Sequence, residues 1–134
     1  MSGPLSAFIE ESYQDTLSLM TELRDYLTEV QAAPDGDKVG ESRVQIVREI
    51  SSMTRRLTEA MAWLLLQKAA VAGEITGEEA RNRAEGLLVA ADPEQAAVPG
   101  GAALPLEVRG YIDRSRHLYD QILRLREMTE THPD

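Results

Sequence analysis

Apolar side chains in this chain recur every third or fourth position over long stretches, and no segment alternates apolar and polar residues with period two. From Ser6 to about Ala32 the recurring positions are Ile9, Tyr13, Leu17, Met20, Leu23, Leu27 and Val30, which trace one stripe of a helix. A second stripe runs from about Glu41 to Ala72 through Val44, Val47, Ile50, Met53, Leu57, Ala60, Met61 and Leu64. At 1.5 Å per residue this helix spans roughly 48 Å and forms the spine of the fold. Between the two, PDGDKVG carries Pro34 and Asp35-Gly36, strong turn signals, and so short a connection favours antiparallel neighbours.

Gly73 follows the second stripe as a left-handed C-cap, because it has no Cβ to clash there. Thr76-Gly-Glu-Glu79 is a capping box, in which the threonine hydroxyl and the glutamate carboxylate satisfy reciprocal backbone donors. It predicts a short helix from about Gly77 to Val89. The segment ADPEQAAVPGGAALP, with Pro93, Pro99, Gly100-Gly101 and Pro105, cannot continue a helix and reads as a flexible crossover at about 91–104. Pro105 then suits the first turn of a last helix, Leu104 to Glu127. Its buried side is marked by Val108, Tyr111, Ile112, Ser115, Leu118, Tyr119, Ile122 and Leu125, and a short polar tail, 129–134, follows. The pattern predicts a single all-α domain over 1–134, an antiparallel bundle of three long helices plus one short helix.

One stretch departs from this regular spacing. Trp63-Leu64-Leu65-Leu66 places four large apolar residues in a row, and successive helical side chains point about 100 degrees apart. Burying all four requires cover around most of the helix. Two sides face the other long helices; the third meets the short helix, a second subunit or a partner protein. These four residues are therefore candidates for core or for a dimer interface.

The 134 residues carry a net charge of -9, which opposes non-specific phosphate binding and argues against nucleic acid as a partner. Residues 1 to 37 hold eight acidic side chains and one basic, so the acidity belongs mainly to the first helix, whereas the second and fourth each carry five basic residues. There is no cysteine for a disulfide or thiolate site, and the N-terminus lacks the basic start and apolar run of a signal peptide. The longest apolar tract is too short for the roughly 20 residues that cross a bilayer. A cytoplasmic location is expected, with no membrane partner.

Candidate chemistry is sparse. Asp113 and His117, four residues apart, can pair on one helical face, but no nucleophile accompanies them. His132 lies in the tail. Glu10-Glu11 and Glu78-Glu79 are adjacent, so they diverge around the helix, and Gly100-Gly101 lacks the lysine and the helix of a phosphate-binding loop. An alternative reading as a small all-α enzyme of the chorismate-mutase type recruits Arg55, Arg56, Gln67 and Lys68. Arg55 and Lys68, however, lie roughly 20 Å apart along the helix. No catalytic, cofactor-binding or metal-binding residue is expected, and protein binding is the reading that remains.

The run MTRRLTEAMAWLLLQKAAVAGEITGEEA, Met53 to Ala80, together with LPLEVRGYIDRSRHLYDQILRL, Leu104 to Leu125, resembles the RcdA-like family of alphaproteobacteria, named for regulator of CtrA degradation. Position by position the resemblance covers Trp63, Leu64, Leu65, Leu66, Gln67, Ala69, Gly73, Glu74 and Thr76. Near the end it covers Leu104, Pro105, Arg109, Arg114, Ser115, Leu118 and Tyr119. It implies a helical bundle, a homodimer, acting as a non-enzymatic adaptor in the cytoplasm and in cell-cycle control. Such adaptors help bring cargo regulators to the ClpXP protease, working with the adaptor CpdR and the effector PopA. Arg109, Tyr111, Arg114 and Arg116 present polar ends from the last helix and are the candidate partner-binding residues. Family members can extend further than this chain, whose tail after Thr129 is too short for a long tether.

Overall fold

The structure is a computed structural model and describes residues 4–32, 40–88 and 104–131. The fold is all-α. Four helices are present among these residues: α1 (Pro4–Ala32), α2 (Gly40–Val71), α3 (Gly77–Arg83) and α4 (Leu106–Thr131). The expected turn at 34–40 lies largely, and the crossover almost wholly, outside the described residues.

Facing pairs fix the directions. The N-terminal part of α1 meets the C-terminal part of α2 where Glu10 bonds Lys68, while Glu22 meets Arg114 and Tyr26 meets Tyr111 on α4. α1 is thus antiparallel to both. α2 and α4 run in the same direction, since Arg56 lies over Tyr119 and both Glu59 and Arg126 reach Leu88. Leu88 and the start of α4 therefore lie at different ends of the bundle.

The core is mainly aliphatic and lies along the shared axis, with Leu19 and Leu23 of α1, Ile50, Leu57 and Leu64 of α2, and Val108 and Ile122 of α4 all buried. The predicted α1 stripe is rotated from its expected position, while the α2 stripe holds from Val47 to Leu64 and departs only at its start. On α1 the buried line is Ile9, Ser12, Thr16, Leu19 and Leu23, and Leu17 is exposed. Thr16 can sit inside because its hydroxyl donates to the Ser12 carbonyl at 2.7 Å, which removes the cost of an unpaired buried polar group. On α2, Ile46 is buried and Val44 is exposed.

The helix ends follow local chemistry. Gly73 has φ +81; its N–H donates to the Ala70 carbonyl at 3.1 Å and the Glu74 N–H to Ala69 at 2.9 Å, a Schellman closure of α2. Thr76 Oγ1 accepts the Glu79 N–H at 3.0 Å. The second half of the expected capping box is replaced: the Glu79 carboxylate pairs with Arg83 at 2.6 Å. α3 also stops at Arg83 instead of Val89, because left-handed Gly86 (φ +91) turns the chain. α4 begins two residues later than expected, with the Arg109 N–H bonded to the Pro105 carbonyl, and continues to Thr131. Thr129 to Thr131 belong to the helix and not to a tail.

Candidate functional site

In the run Trp63 to Leu66, Trp63 (2% exposed) and Leu64 (0%) are core, Leu65 is 48% exposed, and Leu66 is half-buried. The expectation of cover on all sides is corrected for the single chain: α1, α3 and α4 leave one side of α2 open. The open side also carries Thr58, Ala62 and Ala69, set at helical spacings of four, three and four about Leu65. All are exposed or half-buried, and none is charged.

Arg114 and Tyr111, two of the four candidate partner-binding residues, are engaged within the bundle. The Arg114 guanidinium donates to both carboxylate oxygens of Glu22, at 2.8 and 2.9 Å, a bidentate arrangement. The Tyr111 ring meets Tyr26 edge-on at 5.5 Å between centroids, and Arg114 sits 6.0 Å from the Tyr111 centroid. Arg114 holds the Glu22 carboxyl below its ordinary range, and Glu22 raises the Arg114 guanidinium in return. Burial pushes the Tyr26 and Tyr111 phenols up, helped by Glu107 for the first and Glu22 for the second. Arg109 and Arg116 are on the exposed side of α4.

The four residues of the enzyme reading do not come together. Arg55 is exposed. Arg56 stacks over Tyr119 at 5.0 Å. Lys68 bonds Glu10 at 2.8 Å and lies 4.0 Å from the Tyr13 centroid, and Gln67 lines a cavity at the end of the bundle. The Glu10 carboxyl is lowered by the Lys68 hydrogen bond and then by that of Gln14. His117 contacts Gln121 at 3.4 Å and makes no pair with Asp113; His132 lies outside the described residues. Among the described residues no group of three or more His, Asp or Glu is placed to hold a metal ion, and no helix is long and apolar enough to cross a membrane.

A feature the local pattern did not announce sits after α3. Leu88 is fully buried with φ 56, a left-handed conformation that costs a non-glycine residue roughly 1–2 kcal/mol. Its N–H donates to Glu59 Oε1 of α2 at 3.0 Å, and its carbonyl accepts from Arg126 Nη1 of α4 at 2.9 Å. Two charged side chains from different helices thus grip one peptide unit on each side of the leucine.

The chain belongs to the family described as "Protein of unknown function (DUF1465)", whose model matches residues 4–134. That description carries no link to the RcdA-like family. No curated protein and no solved structure matches the chain.

Proposed function

We propose that this member of the DUF1465 family is a non-enzymatic adaptor that binds other proteins through the outward face of α2 and the exposed edge of α4. The observation that carries the reading is Leu65. In a run whose first two members are core, it stays exposed on an uncharged strip, and covering that strip with another surface would take its apolar area out of water. Self-association through this strip gives a homodimer, and Arg109 and Arg116, exposed on the last helix, serve as polar contacts for a third party.

The resemblance to RcdA-like adaptors supplies the finer content: cytoplasmic delivery of regulatory proteins to a ClpXP-type protease during the cell cycle, together with a CpdR-like protein. Tethering of this kind raises the cargo's effective concentration at the protease and needs no reacting side chain. The test is affinity capture with mass spectrometry from an alphaproteobacterial lysate, comparing the unaltered chain with Leu65→Asp and with Arg109→Glu, Arg116→Glu. The unaltered chain is expected to recover the protease unfoldase or a CpdR-like protein, and the variants to lose it. Repeated recovery of neither by the unaltered chain overturns the adaptor role. Light scattering that finds only monomer at tens of micromolar overturns the dimer.

A further inference from the structure

At the end of the bundle where α1 begins and α2 and α4 finish, the helices part around a cavity of about 300 Å³. Its walls are mostly apolar: Leu5 and Ile9 from α1, Ala70 and Val71 from the last turn of α2, and Ile75 from the link to α3. The Schellman turn at Gly73 ends α2 at this opening, and Ile75, two residues on, forms part of its wall.

Arg81 stands in the wall of this cavity. Its Nη1 lies 3.9 Å from the place a Cβ on Gly77 would occupy, so the side chain folds back along α3 towards the helix start. Arg83, two positions on, is paired with Glu79, whereas Arg81 forms no hydrogen bond or ion pair with any described residue. An exposed guanidinium can lie in many directions, and this one lies in the wall of an apolar hollow with its donors unspent among the described residues.

We infer that this cavity is a binding site for a small apolar tail ending in a carboxylate, with the tail against Leu5, Ile9, Ala70, Val71 and Ile75 and the carboxylate on Arg81. The planar fork of arginine matches a carboxylate with two parallel hydrogen bonds, and the walls offer the tail an apolar surround. A cavity of about 150 Å³ holds benzene, so twice that volume suits on the order of ten non-hydrogen atoms. That is the size of a branched six- to eight-carbon acid, or of the last apolar residue of a peptide, and both present the same chemistry. This site is independent of the adaptor reading: it lies at the end of the bundle and leaves Leu65 uninvolved.

The test is amide-resolved NMR titration of the full chain with two pairs of probes: 4-methylpentanoate against 4-methylpentanamide, and acetyl-Ala-Leu-Leu as free acid against its C-terminal amide. At least one acid is expected to move the signals of Ile75, Gly77 and Arg81, with its amide partner at least tenfold weaker. The stronger acid identifies whether the source is a free acid or a peptide end. Arg81→Gln should weaken the acid at least tenfold and leave the amide unchanged, while Ala70→Phe, which fills the hollow, should remove binding altogether. Unaltered core signals at Leu57 and Ile122 verify that both variants are folded. Equal affinity for acid and amide, or no movement at these three residues with any probe, overturns the proposal.

Discussion

Leu64 and Leu65 are the same residue at adjacent positions of one helix, yet one is wholly buried and the other about half exposed. Their surroundings differ in kind. Leu64 belongs to a face where α1 and α4 close over α2, so its side chain specifies the monomer. Leu65 faces a strip of threonine and alanine that no other part of the described chain covers. Hydrophobicity alone therefore does not tell a residue that makes the fold from one that the fold displays; the position on the helix does.

That difference can be probed in steps of decreasing size. Leu64→Ala leaves a cavity in a packed interior and should cost about 2–5 kcal/mol, read by urea denaturation. Glu59→Ala deprives the buried Leu88 N–H of its acceptor and should cost about 1–2 kcal/mol; loss of amide protection at Leu88 in hydrogen exchange would identify the site. A smaller effect is expected at the α1–α4 clasp, where both partners are about half exposed and Glu22→Gln should cost roughly 0–1 kcal/mol at neutral pH. Because Arg114 depresses the Glu22 carboxyl in the folded chain, this contribution is fully present above the ordinary glutamate value of about 4.3. It is lost as pH falls through the lower folded value. The gap in denaturation midpoint between Glu22→Gln and the unaltered chain should accordingly shrink on acidification. Leu65→Ser should change monomer stability by about 0.5 kcal/mol or less while weakening self-association in sedimentation. If it unfolds the chain as Leu64→Ala does, the contrast between the two leucines is wrong.

Much of the architecture was legible because it is local. Gly73 and Thr76 announce a helix end and a helix start through backbone geometry and a single hydroxyl, and the long stripes of α2 and α4 follow from their period. The α1 stripe was misread because a search for apolar residues passes over Ser12 and Thr16, whose hydroxyls are compact and, for Thr16, satisfied by the helix itself. Neither the Glu22–Arg114 clasp nor the grip on Leu88 could be read, since their partners lie 92, 29 and 38 residues apart. The same holds for the candidate cavity. Nothing in the pattern sets Arg81 apart from the other charges of a short helix, and only the folded chain puts it in one wall with Ile75 and Ala70.

The two-sided grip on Leu88 has a consequence for the order in which the molecule opens. A peptide segment held by α2 alone would stay docked when α4 frays, and one held by α4 alone would leave with it. Leu88 is held by both: loss of α4 leaves its N–H on the Glu59 carboxylate, and loss of α2 leaves its carbonyl on the Arg126 guanidinium. The buried leucine is therefore released only after both contacts have gone. Native-state exchange should find the Leu88 amide, whose acceptor sits on α2, opening in one cooperative unit with α2 and outlasting the fraying of α4.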